Sequence, residues 1–167
     1  RDLRSSDLSR LEELVDAVFT DICEKYPHTP LLLLSPLADG ADQLVSRVAR
    51  AAGIGLVVPL PLPQTLYETD FESDASREAF EQLLSSADAV FELPLFNGNT
   101  RGAIEEAGEP RDRQYAQVGA YIAHHSQILL ALWDGVQRVR DVQIGGTAEI
   151  VRFRLDGVPA TYDSGAH

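Results

Sequence analysis

Methionine is absent from this 167-residue chain, and cysteine, lysine and tryptophan occur once each. Each scarcity removes an option. With Cys23 alone there is no intrachain disulfide, and a reducing cytoplasm is the expected setting. With Lys25 the sole lysine, 14 basic residues face 26 acidic ones, for a net charge of −12. Nucleic-acid binding depends on neutralising many phosphates with lysine and arginine, so no nucleic-acid partner is expected. A single small anion held by backbone N–H groups and one or two arginines is compatible with this charge. No apolar run approaches the length of a membrane span, so direct membrane insertion by this segment is not expected. The sequence shows no nucleophile elbow, no Cys/His couple and no metal-ligand spacing, so neither a metal nor a required cofactor is expected. The missing methionine and the opening Arg1-Asp2-Leu3 suggest a fragment of a longer product, with a first strand and other domains outside it.

What is present reads as one soluble globular domain, residues 1–167: 44% of residues are hydrophobic and 24% charged. Ser6-Asp7 suits a helix N-cap, and Leu8, Leu11, Val15, Val18 and Ile22 recur at helical spacing behind it. Pro27 and Pro30 bracket a turn into the apolar run Leu31-Leu32-Leu33-Leu34. A second helical stripe, Ala41, Leu44, Val45, Val48, Ala49 and Ala52, stops at Gly53. Leu56-Val57-Val58 reads as a strand buried on both faces, which Pro59, Pro61 and Pro63 should end. Ser73 is placed to cap a helix running to about Ala87, with Phe80, Leu83, Leu84 and Ala87 on its core face. Ala89 to Leu93 is the next strand. Residues 96–110 read as an exposed loop that orders on binding, and a helix follows from Arg111 to about His125. Ile128-Leu129-Leu130-Ala131-Leu132-Trp133 is predicted as the last strand, and 147–155 as the last helix. Residues 160–167 carry no pattern. Strand and helix alternate throughout, which predicts an α/β chain: a three-layer α/β/α sandwich with a Rossmann-like, mainly parallel sheet.

Two turns from strand to helix stand out, because ligands of open parallel sheets bind at the carboxyl edge, where helix N-termini present N–H groups to anions. In the first, Ser35-Pro36-Leu37-Ala38-Asp39-Gly40, the glycine lets backbone approach a ligand, and Asp42 or Ser35 can bond a ribose or base; Asp39 and Asp42 can equally serve as helix caps. In the second, Gly145-Gly146-Thr147 has the bareness and hydroxyl that suit a phosphate, although a flexible loop with a threonine cap fits as well. Glu149 is then either a capping acid or a ribose-binding or general-base carboxylate. Asp134 can bond a ribose hydroxyl, and Trp133 can wall the site or fill the core. Arg111 and Arg113 oppose the macrodipole at a helix start, which calls for a bound anion or an acidic neighbour. His124-His125 reads as structural or solvent-facing, and Tyr67 and Tyr115 as packing or base-stacking residues.

The stretch Leu34-Ser35-Pro36-Leu37-Ala38-Asp39-Gly40-Ala41-Asp42-Gln43-Leu44-Val45 resembles the strand, small loop, Gly-Ala-Asp and helix signature of the SLOG superfamily. This Rossmann-like group includes the LOG phosphoribohydrolases, the DNA-processing Smf proteins and nucleotide-sensor domains of bacterial defence systems. Ser126 to Gly135, followed by Gly145-Gly146-Thr147-Ala148-Glu149, is similar to the group's second motif, where a Gly-Thr turn opens a helix beneath the ligand phosphate. The resemblance implies a pocket with Gly40, Ala41 and Asp42 at one lip, a phosphate cradle of Gly145, Gly146 and Thr147, and Glu149 nearby. It implies a cytoplasmic bacterial module that binds a small nucleotide-derived ligand as a sensor and forms a homo-oligomer. The alternatives are a nucleoside-monophosphate phosphoribohydrolase with Glu149 as its acid/base group, and an interaction domain with a vestigial pocket.

Overall fold

A computed structural model describes residues 5–133 and 144–163 of the chain. Its elements run in the order α1 (Ser5–Lys25), β1 (Leu32–Leu34), α2 (Ala41–Ala51), β2 (Gly55–Leu60) and α3 (Gln64–Tyr67). A 3-10 turn (Glu68–Asp70) leads to α4 (Asp74–Ser85) and β3 (Ala89–Glu92). A second 3-10 turn (Gly102–Ile104) precedes α5 (Glu109–His125), α6 (Thr147–Asp156) and α7 (Ala160–Asp163). The strands form an all-parallel open sheet in the order β1-β2-β3, flanked by helices, the α/β class that the alternation predicts. Leu32, Leu33 and Leu34 stand opposite Gly55, Leu56 and Val57. None of the described helices is long and apolar enough to cross a membrane.

The chain divides into two compact units. The first reaches Val58 and takes in Phe71–Val90; the second is Pro59–Asp70 with the described residues from Phe91 onward. In the first, Leu56 and Val58 are fully buried, Phe71 stacks on Phe80 at 4.7 Å, and Leu37, Leu44 and Ala49 complete the core. Ser73 caps α4 as expected, its hydroxyl accepting the Ser76 N–H at 3.1 Å. The buried line of α1 runs through Val15 and Phe19 rather than Val18, which is 38% exposed. Both choices satisfy helical spacing from Leu11, so periodicity alone does not separate them. The Ser6-Asp7 cap lies among side chains outside the described set. In the second unit Leu60, Leu62, Tyr67 and Ile104 are buried, and Phe153 packs with Ala120 and Ala123.

Four expectations change. β2 continues through Pro59 to Leu60. Its odd positions bond toward β1, with Gly55 N–H on Leu31 O and Val57 O taking Ser35 N–H. Pro59 is the next odd position and falls after β1 has ended, so its missing N–H forfeits no ladder bond. Residues 128–133 form no strand, and Ile128 (52%) and Trp133 (36%) are substantially exposed. An apolar β-prone run specifies a strand only when a sheet edge accepts its hydrogen bonds. Residues 96–110 are not simply exposed: Ile104 is fully buried within a 3-10 turn, and the next helix starts at Glu109 rather than Arg111. Residues 160–163, expected to be patternless, form the short helix α7.

Candidate functional site

The turn from β1 to α2 is built by three polar side chains that hold the backbone against its own preference. Ser35 is buried, and its hydroxyl accepts the Leu37 N–H at 3.3 Å. Leu37 sits at φ 60°, a left-handed conformation that costs a leucine about 1–2 kcal/mol. It is retained because the Leu37 side chain is completely buried and its carbonyl accepts from Gln43 Nε2 at 3.4 Å. The same buried amide donates to Ser76 O at 3.2 Å and to Ser76 Oγ at 3.4 Å, tying the turn to α4. Ala38 N–H donates to Asp42 Oδ2 at 3.3 Å.

Beyond that clamp the turn opens. Asp39 and Gly40 are exposed, and a Cβ placed on Gly40 would meet nothing within 4 Å. Gly40 is needed for its φ of 86° alone. It gives α2 no side-chain cap, and the first-turn N–H groups of a helix have no intrahelical acceptors. Ala41 and Asp42 begin the helix half-buried, and burial pushes the Asp42 carboxyl up to about 6 even though the Ala38 N–H pulls it down. The turn therefore combines an exposed glycine, an uncapped helix start and a carboxyl group that changes charge near neutrality.

The second turn is organised differently. Gly145 N–H donates to Glu149 Oε2 at 2.6 Å, so the acid ties down the turn that leads into its own helix. Gly145 has φ 78°, and a Cβ there would lie 2.7 Å from Tyr115 Cβ and 3.0 Å from the Ala116 nitrogen. Its bareness serves contact with the backbone of α5. Gly146 precedes α6 as its N-cap without a side-chain bond, and Thr147 is exposed. Ser35, Gly40, Ala41 and Asp42 thus share one turn of the first unit, while Gly145, Gly146, Thr147 and Glu149 share one turn of the second. Asp134 lies outside the described residues.

Arg111 meets an acidic neighbour, one of the two partners its position calls for. It is buried and bonds Asp70 Oδ1 at 2.6 Å, with Ile104 O at 2.6 Å and Glu105 O at 3.3 Å also accepting. Tyr115 donates its hydroxyl to Asp70, and its ring lies 6.1 Å from that of buried Tyr67. Arg113 pairs with Glu109 at 2.5 Å. His124 and His125 are exposed at the end of α5, where the His125 ring packs on Tyr121 at 4.2 Å. No group of His, Cys, Asp and Glu among the described residues is arranged to hold a metal.

Sequence reasoning missed three buried glutamines. Gln43 clamps the first turn. Gln114 gathers the loops of the second unit, donating to Pro61 O at 2.9 Å and accepting from Phe96 N–H and from Asn99 Nδ2 at 3.1 Å. Gln117 is buried on α5. Helical spacing gave no separate signal for them, since a glutamine at these positions also suits a helix surface. Comparison with family models, with curated proteins and with solved structures finds no match for this chain.

Proposed function

We propose that the chain binds a small nucleotide-derived molecule at the turn between β1 and α2 and acts as a sensor or regulatory module. The observation that carries this reading is the strained, clamped backbone at Leu37, held by Ser35, Gln43 and Ser76 directly before an open Gly40. Left-handed non-glycine residues over-determined by buried hydrogen bonds cluster at ligand clamps, where the strain pre-organises a site. The position at the carboxyl edge of a parallel sheet supports the same reading. In it, the uncapped start of α2 receives a phosphate, Gly40 and Ala41 give close backbone approach, and Ser35 or Asp42 holds a ribose hydroxyl. The SLOG-like motif over these residues supports the nucleotide class. The reading carries with it a cytoplasmic setting and a homo-oligomer whose attached domains receive the signal.

The bond from Gly145 N–H to Glu149 favours binding over LOG-like hydrolysis, since the carboxylate is already committed to the turn before its helix. The test is calorimetry of the full-length protein against nucleotides, cyclic dinucleotides and ADP-ribose derivatives. At least one should bind, Asp42→Ala should weaken it about tenfold, the worth of one hydrogen bond near 1.4 kcal/mol, and no free base should be released. Silence across the panel overturns the reading. Base release abolished by Glu149→Gln replaces it with hydrolysis.

A further inference from the structure

The loop leaving β3 carries a second concave feature, separate from the turn after β1 and contained in the second unit. Its volume is about 110 Å³, and its lining includes Phe96 and Asn97 from the loop, Gln117 from α5, and Thr161 and Tyr162 from α7. An engineered apolar cavity of about 150 Å³ admits benzene, so this smaller space suits one ring at most.

The walls are fixed before any ligand arrives. Phe96 N–H is held by Gln114 Oε1, Pro94 O accepts from Gln114 Nε2 at 3.4 Å, and Phe96 O accepts the Asn99 N–H at 2.8 Å. Tyr162 is braced from behind by Phe153, with ring centroids 5.5 Å apart. The Phe96 and Tyr162 rings stand 5.2 Å apart and tilted by 44°, and the Arg113 guanidinium lies 5.7 Å over Phe96. The lining is therefore aromatic on two sides and amide and hydroxyl elsewhere, with no carboxylate among the described residues.

Within this lining Gln117 is only 8% exposed, and its Oε1 is buried without a hydrogen-bond partner among the described residues. A buried acceptor left unpaired is costly, and an N–H donor supplied by a ligand removes that cost. Burial, joined by the negative charge of Glu149, raises the Tyr162 phenol above its ordinary value, so the ring presents a neutral hydroxyl at physiological pH. Aromatic faces, a missing donor and no charged lining group among the described residues select an uncharged planar ring with an N–H edge.

We propose that this pocket binds a single-ring nitrogen heterocycle of the nucleobase class, face against Phe96 and Tyr162, with its exocyclic amino group donating to Gln117. The proposal goes beyond the sensing turn and does not depend on it.

Saturation-transfer NMR and calorimetry of the full-length protein with free cytosine test it, with N4,N4-dimethylcytosine and toluene as controls. Cytosine should bind weakly and saturably, and the controls should bind at least about tenfold more weakly, as expected for loss of one buried hydrogen bond. Gln117→Met, which keeps the side-chain volume and removes the acceptor, should reproduce that loss while the melting temperature holds or rises. Phe96→Leu gives a second reading of the aromatic wall and should also weaken binding. Asp42→Ala should leave cytosine binding unchanged, which separates this site from the turn after β1. Absence of cytosine binding, equal binding of the dimethylated base, or unchanged binding by folded Gln117→Met overturns the proposal. So does loss of base binding in Asp42→Ala.

Discussion

The two glycine-bearing turns look alike in sequence and differ in what their glycines are for. Both place glycine in the left-handed region at the mouth of a helix, Gly40 at φ 86° and Gly145 at φ 78°. Around Gly40 a side chain would meet open space; around Gly145 it would meet the backbone of α5. The first turn needs its glycine only for conformation, which leaves the surface free for a ligand. The second needs the same residue type for close packing, and its free N–H is already taken by Glu149. A glycine at a helix start is therefore compatible with a cradle or with a joint, and the space beside its Cα decides between them.

The two units also differ in how they fasten their loops. The first uses a neutral amide, Gln43, across weak bonds of 3.2–3.4 Å. The second uses a buried charge, Arg111, on Asp70 and on carbonyls of its own 3-10 turn. The largest expected effect follows from this difference. Arg111→Met should destabilise the protein by about 3–5 kcal/mol, because it orphans the carbonyls of Ile104, Glu105 and Leu66 together, while the exposed Asp70 adds little. Urea unfolding monitored by tyrosine fluorescence measures this. A loss under about 1 kcal/mol would mean that water replaces the guanidinium and that the charged fastening is dispensable.

Next in size is the contrast between the glycines themselves. Gly145→Ala should cost about 2–4 kcal/mol, the sum of a left-handed alanine and overpacking against α5. Gly40→Ala should cost only about 1 kcal/mol, since strain acts there without a clash. Parallel denaturation curves of the two variants decide the matter. Equal losses would erase the distinction between cradle and joint.

Much of this architecture could be read from residue chemistry. Ser73 was recognisable because its hydroxyl has one useful partner, the N–H three residues on, and Leu56-Val57-Val58 because a strand buried on both faces needs apolar residues throughout. The misfit of Arg111 at a helix start signalled an acidic neighbour, and Asp70 is that neighbour. What escaped was whatever depends on a partner distant in sequence. Nothing local marks Leu37 for a left-handed conformation; Gln43 and Ser76 hold it there. Gln43, Gln114 and Gln117 resemble ordinary helix-surface residues until the loops that surround them are in place. Residues 128–133 have the composition of a strand, but a strand also needs a sheet edge, which composition does not supply.

The smallest expected effect concerns Asp42, and it sharpens the comparison by a property that only the first turn has. Its carboxyl is pushed from 3.8 to about 6 by burial, so in the pH range between those values the folded chain binds more protons than the unfolded one. Stability from this group is therefore greatest below the lower value and falls as pH rises through the higher, levelling off above it. A displacement of that size corresponds to about 3 kcal/mol at full weight, but a half-buried carboxyl at a helix N-terminus is partly compensated by solvent and dipole, which leaves about 1 kcal/mol. Asp42→Asn removes the titration while keeping an acceptor for the Ala38 N–H. The variant should match wild type near pH 4 and exceed it by that margin at pH 7.5, as read from melting temperatures across the range. A ligand phosphate seated at the start of α2 would meet Asp42 as a charge to be protonated or displaced, so its binding should take up protons between pH 6 and 7. A difference in stability that stays constant from pH 4 to 7.5 would show that Asp42 titrates as an ordinary surface acid, and the turn would lose its one built-in response to ligand charge.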